Sequence, residues 1–366
     1  MSIFPLTPPL VVARAVLAAR RRVLDLADAA LPGEFALFLD IASALQRPKI
    51  AGVLVSSGLA DALGSDARDP VDLAHQLGLD RDVTTRIVEA AIASRLMRRN
   101  RRGRVRLTRV GAPLRRDHPK SIASWITYYA HPDTSAAFAH MDAQLREGAQ
   151  ISGYDRAFGK SMWEYFGDHP EVGAVFADAM RQLTEFDLAG IVRTYPWPEH
   201  GVICDVAGGK GHLLAAILEC RPEVRGILLD APEIIAQADG FLRGRGVSNR
   251  IERRVGDLFG QLDAQADLYT MKWIMHDWSD DVCRDILKRV RATMPSGSTL
   301  VTIDLHHESR HPNALTSTAD VLMLVTCEGG RERSPQQVHA LMREAGLTPG
   351  RVRHFGPTMM VEATAP

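Results

Sequence analysis

The run Val202-Ile203-Cys204-Asp205-Val206-Ala207-Gly208-Gly209-Lys210-Gly211-His212 passes from apolar residues through an acid into glycines. A helical stretch, 212–219, follows it. A short apolar run that ends in glycines and opens a helix predicts strand, tight loop and helix. Further short apolar runs stand at 227–230, 266–271 and 299–303, with a helical stretch at 281–292. Strands alternating with helices predict βαβ units around a mainly parallel sheet. Residues 351–355 and 358–363 read as a closing pair of strands. From about residue 195 onward the chain is therefore an α/β domain.

The glycines select the ligand. At a strand's carboxyl end they let a ligand approach the backbone closely, where doubly wound sheets bind. The dinucleotide pattern G-x-G-x-x-G fails, because counting from Gly209 puts Leu214 at its third glycine. No G-x-x-x-x-G-K-[ST] phosphate loop occurs either. Asp205 leading into Gly208, Gly209 and Gly211 suits a ligand with a cationic amino-acid head and no phosphate, which is S-adenosylmethionine (SAM). Asp230 ends the next strand, 19 residues after Gly211, where a carboxylate accepts from both ribose hydroxyls. Asp257, in Gly256-Asp257-Leu258-Phe259, is placed to meet an adenine amino group, with Leu258 on the ring face.

Outward toward the N-terminus the texture is helical. Residues 71–77 and 84–96 carry apolar side chains at three- and four-residue spacing, with a polar turn at 78–82. The alternating stretch Arg104-Val105-Arg106-Leu107-Thr108 then predicts a short strand. Helix, turn, helix and hairpin outline a winged helix. Its arginine-rich tip invites a DNA-binding reading. The chain, however, has 44 basic and 44 acidic residues and a net charge of zero. A protein built to hold nucleic acid or an anionic membrane needs a basic excess.

The 366 residues predict two domains or three. Four scattered cysteines form no C-x-x-C pair, which excludes a disulfide scaffold and the usual zinc sites and fits a reducing, cytoplasmic setting. Arginine supplies 38 of the 44 basic residues, the bias of a GC-rich bacterial genome. Near the N-terminus Arg14 interrupts the apolar stretch 10–19 and Arg20, Arg21 and Arg22 follow it, the reverse of a signal peptide's order. No stretch is long and apolar enough for a membrane span.

The chemistry is expected at Met271-Lys272-Trp273-Ile274-Met275-His276-Asp277-Trp278-Ser279-Asp280. His276 lies just past a strand's carboxyl end, between two tryptophans that shield it from water. A histidine of ordinary pKa near 6.5 is a suitable general base at neutral pH. Asp304 and Glu332 are the candidates to orient its ring. Asp277 reads as a cap of the following helix, together with Ser279 and Asp280. Lys272 reads as pointing toward the cofactor. No metal-ligand cluster is visible.

These motifs resemble the SAM-dependent small-molecule O-methyltransferases of the plant caffeate type, which include bacterial carminomycin and hydroxyneurosporene O-methyltransferases. The most specific piece is M-K-W-I-x-H-D-W-S-D at 271–280. Supporting it are D-V-x-G-G-x-G at 205–211, G-D-x-F at 256–259, D-x-x-M-L at 320–324, G-G-x-E-R-[ST] at 329–334 and E-A-G at 344–346. The resemblance implies a Rossmann-like class I methyltransferase domain over 191–366 and a mostly α winged-helix dimerisation domain over 35–115. A helical linker over 116–190 contributes to the acceptor pocket. Residues 1–34 extend beyond the similarity, which runs over roughly 35–362, and are read as an arm exchanged between subunits. The implied protein is a homodimer that takes a small, apolar, aromatic acceptor and binds neither nucleic acid nor membrane.

Residue by residue, His276 matches the family's base and Glu332 one flanking acid. Asp304 matches the other, where plant members usually have Glu. Gly208, Asp230, Asp257 and Lys272 match cofactor contacts. Met180 and Thr184 match a helix that touches the acceptor and the SAM carboxylate. The acceptor walls are expected from Phe158, Met162, Trp163, Phe166, Met180, Met323 and Leu324. Ala207 replaces the first glycine of the usual triplet, and Leu258 a frequent Met. Implied chemistry is removal of the acceptor's hydroxyl proton by His276 as the oxygen attacks the SAM methyl, leaving S-adenosylhomocysteine. The alternatives are N- or C-methylation, a SAM-binding hydroxylase or decarboxylase, and a winged-helix regulator.

Overall fold

The computed structural model describes residues 15, 19, 22–26, 29–260, 262–308 and 314–366. Most of the expected arm at 1–34 lies outside them. The chain divides into two compact units. One runs to Ala136 and adds Trp163–Phe186; the other joins Ala137–Met162 to Asp187–Pro366.

The first unit contains α1 (Gly33–Ser56), α2 (Leu59–Leu63), α3 (Pro70–Leu77), α4 (Arg81–Ala93), the hairpin β1 (Met97–Arg99) and β2 (Val105–Leu107), and α5 (Ala123–Ala130). The Asp69 carboxylate caps α3 by accepting from Val71 N–H at 2.8 Å, and Pro70 occupies the first turn, where no N–H is missed. Asp80 caps α4 in the same way through Val83 N–H at 2.8 Å. Arg68 bridges Val105 as a third strand residue. This is the expected winged helix, and it closes on Leu54, Leu63, Leu73, Val88 and Val105. At the hairpin tip the Asn100 side chain accepts from the N–H groups of Arg102 and Arg104 and fixes the turn. By contrast α1 leaves Phe35, Leu37, Phe38, Leu39, Ile41 and Leu45 exposed.

Five helices continue the chain: α6 (Pro132–Phe138), α7 (Met141–Glu147), α8 (Gly153–Phe158), α9 (Met162–Asp168) and α10 (Pro170–Thr194). The sheet unit then runs β3 (His200–Val206), α11 (His212–Cys220), β4 (Glu223–Asp230), α12 (Pro232–Gly244), β5 (Ile251–Val255), β6 (Leu268–Lys272), α13 (Asp280–Thr293), β7 (Thr299–Leu305), α14 (Ala314–Thr326), α15 (Pro335–Glu344), β8 (Thr348–Phe355) and β9 (Thr358–Thr364). The strand order is β5-β4-β3-β6-β7-β9-β8. The first five strands in that order are parallel; β9 runs antiparallel to β7 and β8.

Alternate residues of each strand build two cores. Cys204, Val206, Leu229 and Met271 face α13 and α15 through Ile286, Leu287, Val338 and Met342. Ile203, Leu228, Val301 and Ile303 face α11 and α12 through Leu214, Ile217, Ala238 and Leu242. Chain order reverses between β3 and β6, and ligands of such sheets bind outside the strands' carboxyl ends at that point.

Candidate active site

The loop after β3 is built to bring backbone close. Gly208 admits no side chain: a Cβ there would stand 2.6 Å from Asp205 Oδ2 and 2.7 Å from Leu228 Cδ1. Ala207 takes φ +52°, a left-handed conformation that L side chains resist. Asp205 is buried, with Oδ1 accepting from Thr270 Oγ1 at 2.6 Å and Oδ2 unpaired. Burial raises its pKa to about 7. An orphaned acceptor beside a tight glycine loop fits a cationic head group. At the end of β4 the Asp230 carboxylate accepts from Gly209 N–H and Ala231 N–H, both at 2.7 Å. Those bonds hold its oxygens with lone pairs left for ribose hydroxyls. Asp257 is exposed and accepts from Phe259 N–H, while Leu258 packs against the core behind it. The donor and acceptor set therefore fits SAM.

Lys272 ends β6 and is buried rather than displayed. Its Nζ lies 3.6 Å from Asp187 Oδ1 and 3.2 Å from the centre of the Trp273 ring. Burial pulls its pKa down to about 8, with Asp187 opposing. Asp187 also accepts from Thr358 Oγ1 at 2.9 Å, so this acid of α10, not singled out in the sequence, anchors the strand end.

Trp273, at φ +56°, turns the chain out of β6, and the 3-10 turn Met275–Asp277 carries His276. Its Nδ1 stands 2.9 Å from Glu332 Oε1. Its Nε2 stands 3.5 Å from Asp277 Oδ1, beyond ordinary hydrogen-bond length but close enough for charge attraction. The imidazole keeps 12% of its surface exposed, against 1% for Glu332. Burial opposes a charged imidazole, yet Glu332 and Asp277 together outweigh it and raise the pKa to about 10. The flanking acids thus favour the protonated ring and lift its pKa above the near-6.5 value expected from the residue type.

Two further expectations change. Asp277 does not cap α13; Ser279 does, accepting from Val282 N–H. The Asp277 carboxylate instead faces His276 and accepts from Cys327 Sγ at 3.7 Å. Asp304 makes no hydrogen bond to the imidazole. Both of its oxygens are buried without partners in a small cavity lined by His276, Glu332, Arg333 and Met359. Burial raises its pKa to about 7. It acts on the histidine by charge across that cavity.

Three residues outside the expected set complete the surroundings. Asp320 Oδ1 accepts from Glu332 N–H at 2.8 Å and fixes the acid from α14. Arg331 N–H donates to the His276 carbonyl at 2.8 Å. Buried Arg333 donates to Asp280 and to carbonyls of the histidine loop. In the sequence Glu332 and the motifs at 320–324 and 329–334 mark these segments, without the roles of Asp320, Arg331 and Arg333.

The expected acceptor walls fall into separate units. Phe158, Met162 and half-buried Met323 lie in the sheet unit, with Phe158 packed 5.5 Å from Tyr154. Trp163, Phe166, Met180 and Thr184 lie in the helical unit. There Trp163 and Phe166 meet Phe176 at 5.7 and 5.0 Å between ring centres. Among the described residues no group of three or more His, Cys, Asp or Glu could hold a metal ion.

The O-methyltransferase domain profile matches residues 138–348. The chain belongs to the O-methyltransferase domain family. This methyltransferase is 32% identical over 355 residues to the O-demethylpuromycin-O-methyltransferase of Streptomyces alboniger, covering 94% of this chain and 89% of that one. It is 29% identical to the 2,7-dihydroxy-5-methyl-1-naphthoate 7-O-methyltransferase of Streptomyces carzinostaticus, over 88% of this chain and 95% of that one. Among solved structures, mitomycin 7-O-methyltransferase MmcR superposes with a TM-score of 0.81 at 27% identity, covering 97% of this chain and 100% of that one. The Rossmann-like class I methyltransferase fold and SAM-dependent O-methylation are thereby this chain's own fold and reaction.

Proposed function

We propose that this methyltransferase acts on a hydroxyl of a small aromatic secondary metabolite, with His276 handling the hydroxyl proton. The observation that carries the reading is the 2.9 Å contact between His276 Nδ1 and Glu332. Glu332 keeps Nδ1 protonated, so Nε2 is the atom that exchanges a proton with the acceptor. SAM, when bound, supplies a methyl group already activated by its sulfonium. Asp230 and Asp257 serve its ribose and adenine, and Asp205, Gly208, Gly209, Gly211, Leu258 and Lys272 complete its contacts. From the sheet unit, Phe158, Met162 and Met323 wall the acceptor.

The high pKa of His276 sharpens this chemistry. A phenol of pKa near 10 keeps its proton at neutral pH, and the acids beside His276 make the imidazole a stronger acceptor for it. An imidazolium beside a phenolate holds as many protons as an imidazole beside a phenol. The hydroxyl proton passes from the acceptor oxygen to Nε2, and the imidazolium so formed is stabilised by Glu332 and Asp277. Asp304 supports the charged ring, and Asp277 is the second acid that does so.

The relatives' names supply the acceptor class: a naphthoate for one, mitomycin for another. The exposed apolar surface of α1 supports a homodimer. Four free cysteines and the arginine bias support a bacterial cytoplasm. The test is a panel of phenols and naphthols, with matching arylamines, incubated with methyl-labelled SAM and read by mass spectrometry. O-methyl ethers from the hydroxyl compounds are expected. Methylation confined to the amines would refute the oxygen assignment.

A further inference from the structure

We infer that Arg333 is a positioning residue: its buried guanidinium clamps both ends of the loop that carries His276 and so sets where the imidazole stands. The guanidinium keeps only 2% of its surface exposed. Nη1 donates to the carbonyl of Met275, the residue before His276. Nη2 donates to the carbonyl of Trp278, two residues after it, at 2.7 Å. Nε and Nη2 both reach Asp280 Oδ1, at 2.9 and 2.7 Å, which fixes the plane of the fork at the first turn of α13.

The clamp belongs to a longer splint. Arg331 N–H holds the His276 carbonyl at 2.8 Å and Glu332 holds the ring at 2.9 Å. Three consecutive residues thus grip one loop through its backbone, its side chain and its flanks. The approach is tight enough to require glycine beside it: a Cβ on Gly330 would come within 2.9 Å of the His276 carbonyl oxygen. A planar fork with five donors matches two carbonyls and a carboxylate at once, whereas a lysine ammonium offers one point charge.

The inference rests on the reading of His276 as the proton-handling group, and its test is separate from activity. Histidine-ring carbon NMR would follow the His276 titration in the wild type and in Arg333→Met, both with S-adenosylhomocysteine, with the signal assigned by its loss in His276→Gln. With the clamp released, the ring drifts from Glu332 and Asp277 and its midpoint falls by about 1 pH unit or more. An unchanged midpoint in folded Arg333→Met would overturn the inference. If that variant does not fold, Arg333→Lys and Asp280→Asn replace it. Both are expected to lower the midpoint, and added guanidinium to restore it in Arg333→Lys; a wild-type midpoint in both overturns the clamp. Turnover by His276→Gln, measured in parallel, tests the base reading alone.

Discussion

Around His276, three carboxylates compete for one positive charge. Glu332 hydrogen-bonds it, Asp277 faces its other nitrogen, and Asp304 stands buried with no partner. The third is a liability for folding. Its pKa rises from 3.8 to about 7 because burial disfavours the carboxylate. The folded state thus holds this proton more tightly than the unfolded chain. The stability it contributes is complete below about pH 4 and is lost as pH climbs through about 7. Asp304→Asn keeps the shape and removes the buried charge. Denaturant unfolding at pH 8 should show the variant more stable by on the order of 1–3 kcal/mol, with a smaller gap at pH 5. A variant no more stable than wild type at pH 8 would contradict the burial cost.

At the level of elements, the strand–loop–helix that opens the sheet unit carries one misfit. Ala207 sits at φ +52°, where an L side chain costs about 1–2 kcal/mol. Ala207→Gly removes that cost, and the looser unfolded chain returns about 0.4–1 kcal/mol of it. The net gain should appear as a melting temperature higher by roughly 1–3 °C. A lower one would mean that the methyl group packs usefully. This element was legible in the sequence because its signals are local: a continuous apolar strand, then glycines, then a fully apolar helix. The same holds for β4, β6 and β7. β5 was missed because Ile251-Glu252-Arg253-Arg254-Val255 is polar in the middle, as an edge strand can be. The roles of Asp277 and Arg333 were not legible either. Asp277 resembled a helix cap in sequence, and Arg333 finds its partners 53 to 58 residues away. Only folding shows that these charges are buried together.

For the whole molecule, the exposed apolar face of α1 is the surface on which the proposed homodimer would rest. Phe38 and Leu45 are 64% and 71% exposed on α1. A Phe38→Glu, Leu45→Glu double variant should stay folded, since neither side chain supports the winged-helix core, yet run as a monomer in light scattering. An unchanged dimeric mass would move the interface elsewhere. The residues proposed for catalysis come from distant parts of the chain: the loop after β6, the end of β7 and the segment before α15. The parallel sheet brings the first two together because the ends of β6 and β7 lie side by side, and Glu332 joins them from the segment before α15. His276 and Glu332 were legible through their motifs, but the pKa of about 10 that their contact produces was not.

The central claim is that His276 carries the acceptor's proton. Methyl transfer from labelled SAM to a hydroxyl acceptor drawn from the phenol and naphthol panel tests it most directly, in wild type and His276→Ala, with SAM affinity measured by calorimetry. The expected result is a loss of about 10²–10⁴ in kcat with SAM affinity within about threefold. Turnover by His276→Ala at the wild-type rate would contradict it.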